Sequence, residues 1–188
     1  MILAAAVTAA AQTPVMNIVL KDGSTQTIKL ENITEVTFGE ITETPTAGQV
    51  AGTYKGVNTV VVGGMYSYTA EVEVTVTANA DGTVNFTWPE YQLAGTIMGD
   101  LTLGTYTIPN LAWDADKGGF FADYSNAGIN MHFKAVQGGT ATMDKDYTLG
   151  KTSTVLVKVT DKGITVENPF KLGAMPFPIV ASFDGAKK

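Results

Sequence analysis

From Tyr66 to Val76 the apolar residues Tyr66, Tyr68, Ala70, Val72, Val74 and Val76 alternate with Ser67, Thr69, Glu71, Glu73 and Thr75. A period of two sustained this long predicts one long β-strand with one wet face. Asn79-Ala80-Asp81-Gly82 then reads as a turn, and Thr83 to Trp88 resumes the alternation with Val84, Phe86 and Trp88 on one side, so the two segments predict a hairpin. The same reading predicts strands over 51–62, 99–108, 119–124, 128–136, 152–160, 163–167 and 177–183, with Asp161-Lys162-Gly163 as a connecting turn. Many short strands almost without helical periodicity call for a sandwich or a barrel. Consecutive hairpins favour the up-and-down antiparallel barrel, because closure leaves no exposed strand edge.

Ahead of this body, Asp22-Gly23 sits between Ile18-Val19-Leu20 and Ile28-Lys29-Leu30, a strong hairpin signal since both residues tolerate positive φ. Asn32 to Phe38 offers a further short extended segment, and Gly39 to Gly48 reads as a linker. Met1 to Gln12 reads as the end of a secretory signal, an apolar run followed by small residues at Ala9 and Ala11, with cleavage expected after Ala11. The expected organisation is thus a signal remnant over 1–11, a β-hairpin module and linker over 12–44, and the barrel over 45–188.

Composition narrows the chemistry. The chain has 188 residues, 45% apolar and 16% charged, enough for one core and poor in the residues that solvate helices. Its net charge is −6 and all twelve of its basic residues are lysines, so the bidentate fork that reads phosphate or guanine is missing and nucleic acid is not an expected partner. The lysines are scattered, which leaves no polybasic strip for anionic lipid. With no cysteine, thiolate catalysis, Cys-zinc sites and disulfides drop out together. No run after the first dozen residues approaches the length of a membrane-spanning helix. Export to the periplasm, cell surface or exterior is the expected localisation.

Val50-Ala51-Gly52-Thr53-Tyr54-Lys55-Gly56, the turn around Asn79 to Gly82, and Ile108-Pro109-Asn110-Leu111 together resemble the calycin-like barrel domains of Bacteroidetes, distant relatives of lipocalins, over roughly residues 48–188. The segment from Val19 to Phe38 is similar to a short module that precedes many exported domains of that phylum. The resemblance implies an all-β fold, a lipocalin-like antiparallel barrel of about eight strands with an N-terminal hairpin extension and an apolar interior that can hold a small molecule. In lipocalins a Gly-x-Trp on the first strand closes the base beneath an arginine; here Gly52-Thr53-Tyr54 keeps the glycine, changes the aromatic, and has no arginine to pair with.

The leading candidate site is the aromatic inner face: Tyr54, Tyr66, Tyr68, Phe86 and Trp88, joined by Met131 and Phe133. A barrel of this size either fills its interior or holds one small ligand, and the pattern fits both. Asn168 to Pro178, carrying Phe170 and Phe177 among three prolines, is irregular and apolar and suits a plug or lid at one mouth. His132 alternates with Met131 and Phe133 and is expected on the surface; with no cysteine and no Gly-x-Ser-x-Gly, no nucleophile and base pair emerges. Asp114-Ala115-Asp116 and Asp144-Lys145-Asp146 carry calcium-loop spacing but lack the closing bidentate acid, so both are expected as turns and no metal or cofactor is assigned. Glu71 and Glu73, with Glu90 or Asp100, are the acids from which a carboxylate hydrolase would have to be built. The expected function is non-enzymatic binding of a small apolar or amphipathic ligand inside the barrel. The competing reading is an envelope module that meets a protein or glycan through its outer face or its hairpin.

Overall fold

The computed structural model describes residues 13–37 and 44–188, and the chain divides between residues 43 and 44 into two units. The expected signal segment over 1–11, Phe38 at the end of the expected extended segment, and residues 39–43 of the expected linker lie outside the described residues. In the first unit β1 (Val15–Val19) pairs antiparallel with β2 (Thr25–Lys29). The Asp22 carboxylate accepts from the Ser24 N–H at 2.9 Å, which fixes the tight turn that Asp22-Gly23 predicts. The extended segment expected after it is not a strand: Leu30–Asn32 is a single 3-10 turn and the described residues that follow form no ladder. Met16 faces Ile28 across this ribbon, and among the described residues the sheet has these two strands.

The second unit opens on a short helix, α1 (Ala47–Val50), and continues through β3 (Gly52–Val62), β4 (Tyr66–Ala78), β5 (Val84–Trp88), β6 (Tyr91–Thr96), β7 (Gly99–Leu103), β8 (Tyr106–Asp114), β9 (Gly119–Asp123), β10 (Asn130–Gln137), β11 (Thr140–Thr148), β12 (Thr154–Thr160), β13 (Gly163–Phe170) and β14 (Ile179–Lys187). Eight of these close into an antiparallel barrel in the order β12-β13-β14-β3-β4-β5-β8-β9. The order follows the chain, so the barrel is the expected up-and-down meander. It is interrupted twice, by the hairpins β6-β7 and β10-β11, which join through β7 and β10 into a separate four-stranded sheet.

That sheet corrects the sequence reading in three places. The strand expected over 99–108 is two, because at Gly104 the chain leaves the second sheet for the barrel; a Cβ there would lie 2.8 Å from His132 Cβ. Asp144-Lys145-Asp146 is not a turn but the middle of β11, and Tyr91–Thr96 is a strand that the pattern did not announce. Charged side chains on β11 suit its position at the sheet's edge, where they discourage pairing with another chain. The linker expected to reach Gly48 also ends early, since Ala47 and Val50 are buried in the barrel core.

Strand direction assigns the ends. The starts of β3, β5, β9 and β13 collect at one end, which α1 covers: the Tyr54 hydroxyl donates to the Val50 carbonyl at 2.6 Å, and Lys187 Nζ donates to the Gln49 carbonyl at 2.9 Å. Lys187 also stands over the Tyr54 ring at 5.9 Å. At this end Asn110, with φ 58°, sits in a register shift of β8 that lets Ile108 and Leu111 both point inward. Asparagine tolerates that conformation, and its N–H donates to Asn85 Oδ1 at 3.0 Å. At the opposite end lie the β3–β4 turn, both hairpin excursions and the loop 171–178.

Candidate functional site

The barrel's interior is built from inward positions of consecutive strands. Phe86 meets Trp88 edge-to-face at 5.2 Å, and Trp88 meets Phe183 at 6.2 Å in the same geometry, which is favoured by the ring quadrupoles. All three are buried. Beside them Asn168 on β13 is the centre of a polar network that satisfies every donor and acceptor of its amide. Its Oδ1 accepts from Trp88 Nε1 at 3.1 Å and from the Tyr106 hydroxyl at 2.9 Å; its Nδ2 donates to the Tyr124 hydroxyl at 2.6 Å and the Thr154 carbonyl at 2.7 Å. Burial pushes the Tyr106 and Tyr124 hydroxyls well above their ordinary pKa, as a dry interior requires. Hydroxyls and an amide in such a place hold their geometry, because leaving any one unpaired is costly.

The nominated residues fall into four groups. Phe86, Trp88 and Phe170 form this packed interior, with Phe170 tilted against Tyr106 at 6.4 Å. Tyr54 closes the base. Met131 and Phe133 lie not in the barrel wall but on β10, buried beneath the second sheet, where Phe133 meets Tyr147 edge-to-face at 5.9 Å. The remaining three gather at the sheet-covered mouth. Tyr68 is half-buried, and its hydroxyl accepts from the Ile97 N–H in the β6–β7 turn at 3.2 Å. Tyr66 is 38% exposed and Phe177 54% exposed, and Phe177 leans on the β3–β4 turn, with Cδ1 3.3 Å from where a Gly63 Cβ would be.

Sequence reasoning missed two more members of this rim, Met65 and Ile97, which are 70% and 61% exposed. Three separate segments thus present large exposed apolar side chains at this end of the barrel, while Met98 and Met175 are half-buried against the core. Of the chain's seven methionines five, Met65, Met98, Met131, Met143 and Met175, lie at this end. Methionine is the side chain that adapts most readily to a changing contact. The signal was present in the sequence as a concentration of methionine in the segments between barrel strands.

Beneath the rim lies a polar side chain of a different kind. Asn58 on β3 is fully buried and neither atom of its amide has a hydrogen-bond partner among the described residues. The Tyr91 hydroxyl, on the first strand of the second sheet, is near enough to feel that amide but does not meet it in hydrogen-bonding geometry, and burial pushes it up to about 12.

The outer surfaces are more ordinary. The wall formed by β12, β13, β14 and β3 carries a shallow groove of about 510 Å³, lined by outward residues such as Val57, Thr59, Lys158, Glu167, Ser182 and Asp184. The outer face of the second sheet has a concavity of about 540 Å³, lined by Glu90, Gln92, Asp100, Thr102, His132 and Lys134. His132 is on the surface as expected, bonded through Nδ1 to Asp146 at 2.9 Å and through Nε2 to Asp144 at 3.0 Å. The bond to Asp146, reinforced by Asp144, raises the imidazole above its ordinary 6.5. What the charged ring adds to folding is therefore complete below pH 6.5 and fades as the pH rises through the raised value. Of the acids considered for hydrolysis, Glu71 faces Lys55 at 3.6 Å, Glu73 binds Lys188 at 2.8 Å, and the Asp100 carboxylate accepts from the Gly95 N–H at 2.8 Å. The described residues hold no cluster of three metal-ligating side chains and no helix long and apolar enough to cross a membrane.

Residues 50–186 match the model of a family described as the calycin-like beta-barrel domain. Among curated proteins none matches. Among solved structures a similar chain is that of a Bacteroides fragilis protein provisionally described as an outer membrane protein, at 23% identity and a TM-score of 0.48; the match covers 77% of this chain and 53% of that one.

Proposed function

Because the chain belongs to the calycin-like β-barrel domain family, we propose that it is an exported, non-enzymatic binding domain that takes a small apolar or amphipathic molecule at the sheet-covered mouth. The observation that carries this is the rim of Met65, Tyr66, Ile97 and Phe177, drawn from three segments and left exposed at the same end of the barrel. An isolated exposed apolar residue is ordinary, whereas a group backed by adaptable methionines is the composition of a contact surface. The aromatic and hydrogen-bonded packing around Trp88 and Asn168 fills the deeper barrel and supports a ligand at the mouth above it. Export rests on the apolar run and small residues of the first eleven positions.

The neutral solvatochromic dye Nile red provides the test. It is expected to bind the full chain saturably with a blue shift, and Tyr66→Ala/Phe177→Ala is expected to weaken binding about tenfold, since each truncation removes roughly half of the ~1.5–3 kcal/mol that burying such a side chain contributes. The thermal midpoint should hardly move, because both side chains are exposed. An unchanged affinity in the double variant would remove this reading. The outer-wall groove beside Val57 and Lys158 supports a second reading, docking of an envelope protein or glycan on the barrel's outside.

A further inference from the structure

An uncompensated amide in a core is expensive, on the order of the cost of desolvating it with nothing in return, and buried polar groups nearly always find a partner. Asn168 obeys that rule with four bonds and Asn58 breaks it with none among the described residues. The position of Asn58 gives the exception meaning. On β3 and β4 the inward pairs descend from Val62 and Tyr66 at the rim to Val60 and Tyr68, then to Asn58 and Ala70. Asn58 therefore sits one inward step, about 7 Å, below Tyr68. Its neighbour on β14 is Phe183, which meets Trp88 edge-to-face, and Trp88 in turn lies 6.4 Å from the Tyr91 ring of the second sheet. The amide thus lies at the seam between barrel and second sheet, above an aromatic floor and below the exposed rim.

We propose that this seam receives the head of an amphipathic ligand whose uncharged amide-type group pairs with both atoms of Asn58, while its apolar tail runs out past Tyr68 toward Tyr66 and Phe177. The inference rests on the mouth reading above and adds the chemistry of the head. A side-chain amide offers one acceptor and donors side by side, the complement of another amide face. No cation is at hand to hold a carboxylate, because the barrel's buried polar residues are Asn58, Ser153 and Asn168 and the sequence has no arginine. The dry surroundings that raise Tyr91 penalise a charged head in the same way.

Calorimetric titration of the full chain at pH 7 with octanamide and with octanoate tests it, beside Nile red for the rim. The wild-type chain is expected to bind octanamide about tenfold more tightly than octanoate, and Asn58→Leu is expected to lose about tenfold for octanamide while Nile red binding stays unchanged. Should the leucine variant not fold, Asn58→Val, β-branched as a strand prefers, carries the same expectation. Equal binding of octanamide by wild type and variant, or no preference over octanoate, overturns the inference even if Nile red still depends on Tyr66 and Phe177. If Nile red binding ignores Tyr66 and Phe177, the mouth reading falls first and the inference with it.

Discussion

Asn168→Leu and Asn58→Leu, one chemical change at two fully buried asparagines, are expected to move stability in opposite directions. Losing Asn168 strands Trp88 Nε1, the Tyr106 and Tyr124 hydroxyls and the Thr154 carbonyl in a dry interior. At ~1–3 kcal/mol for each buried group left unpaired, with some relief from relaxation, the loss should be about 4 kcal/mol. A domain of ordinary stability would keep little margin after it. Asn58 has no such bonds to lose, so an apolar side chain of similar size there should be neutral or should stabilise the ligand-free protein by about 1 kcal/mol. Urea denaturation of the two variants beside wild type measures both. A large loss at both positions would mean that Asn58 is a structural group, and a small loss at Asn168 would mean that its network does not hold the interior.

A second large effect is expected at Gly56→Ala. Gly56 on β3 pairs with Gly185 on β14, and a Cβ at Gly56 would lie 2.0 Å from the Asp184 carbonyl oxygen and 2.4 Å from the Gly185 Cα. Both atoms are backbone and cannot swing aside, so the strands must part where the barrel closes. Gly163 meets the Gly185 carbonyl oxygen at 2.1 Å in the same sense, which makes β13, β14 and β3 a run of close backbone contact near the helix-covered end. The cost should be at least about 3 kcal/mol, the upper range of overpacking a core. Gly48→Ala is the matched control, since nothing lies within 4 Å of its Cβ position and it sits in α1, where alanine is the better helix former. Thermal unfolding of the two alanine variants should separate them by many degrees; similar midpoints would contradict the close approach.

Much of the barrel was legible because its long strands keep a strict alternation. Tyr66 to Ala78 and Val84 to Trp88 form where the pattern puts them, and Asp81 accepts from the Thr83 N–H at 3.0 Å to fix the turn between them. The second sheet was less legible for a definite reason. Barrel strands put even-numbered residues inward at Phe86, Trp88, Tyr106 and Ile108, whereas the sheet buries odd-numbered Tyr91, Leu93, Leu101 and Leu103. The change of parity across Pro89-Glu90 and Gly104-Thr105 was the only mark of the excursion, and a reading that looks for alternation passes over a one-residue slip. Strand β11 is fainter still, with only Met143 and Tyr147 half-buried on it. At the candidate site, the sequence identified Tyr66, Tyr68 and Phe177, but not that they meet. Their meeting depends on where a turn from the second sheet reaches Tyr68, and no local pattern encodes that distance.

Backbone amide chemical-shift mapping of the full chain as Nile red is added tests the central claim most directly. The account predicts the largest shifts over residues 63–68, 95–98 and 173–178, around Tyr66, Ile97 and Phe177, with the strands below Trp88 and Asn168 little changed. Shifts concentrated at Val57, Lys158, Ser182 and Asp184 would place binding on the outer wall instead, and would contradict it.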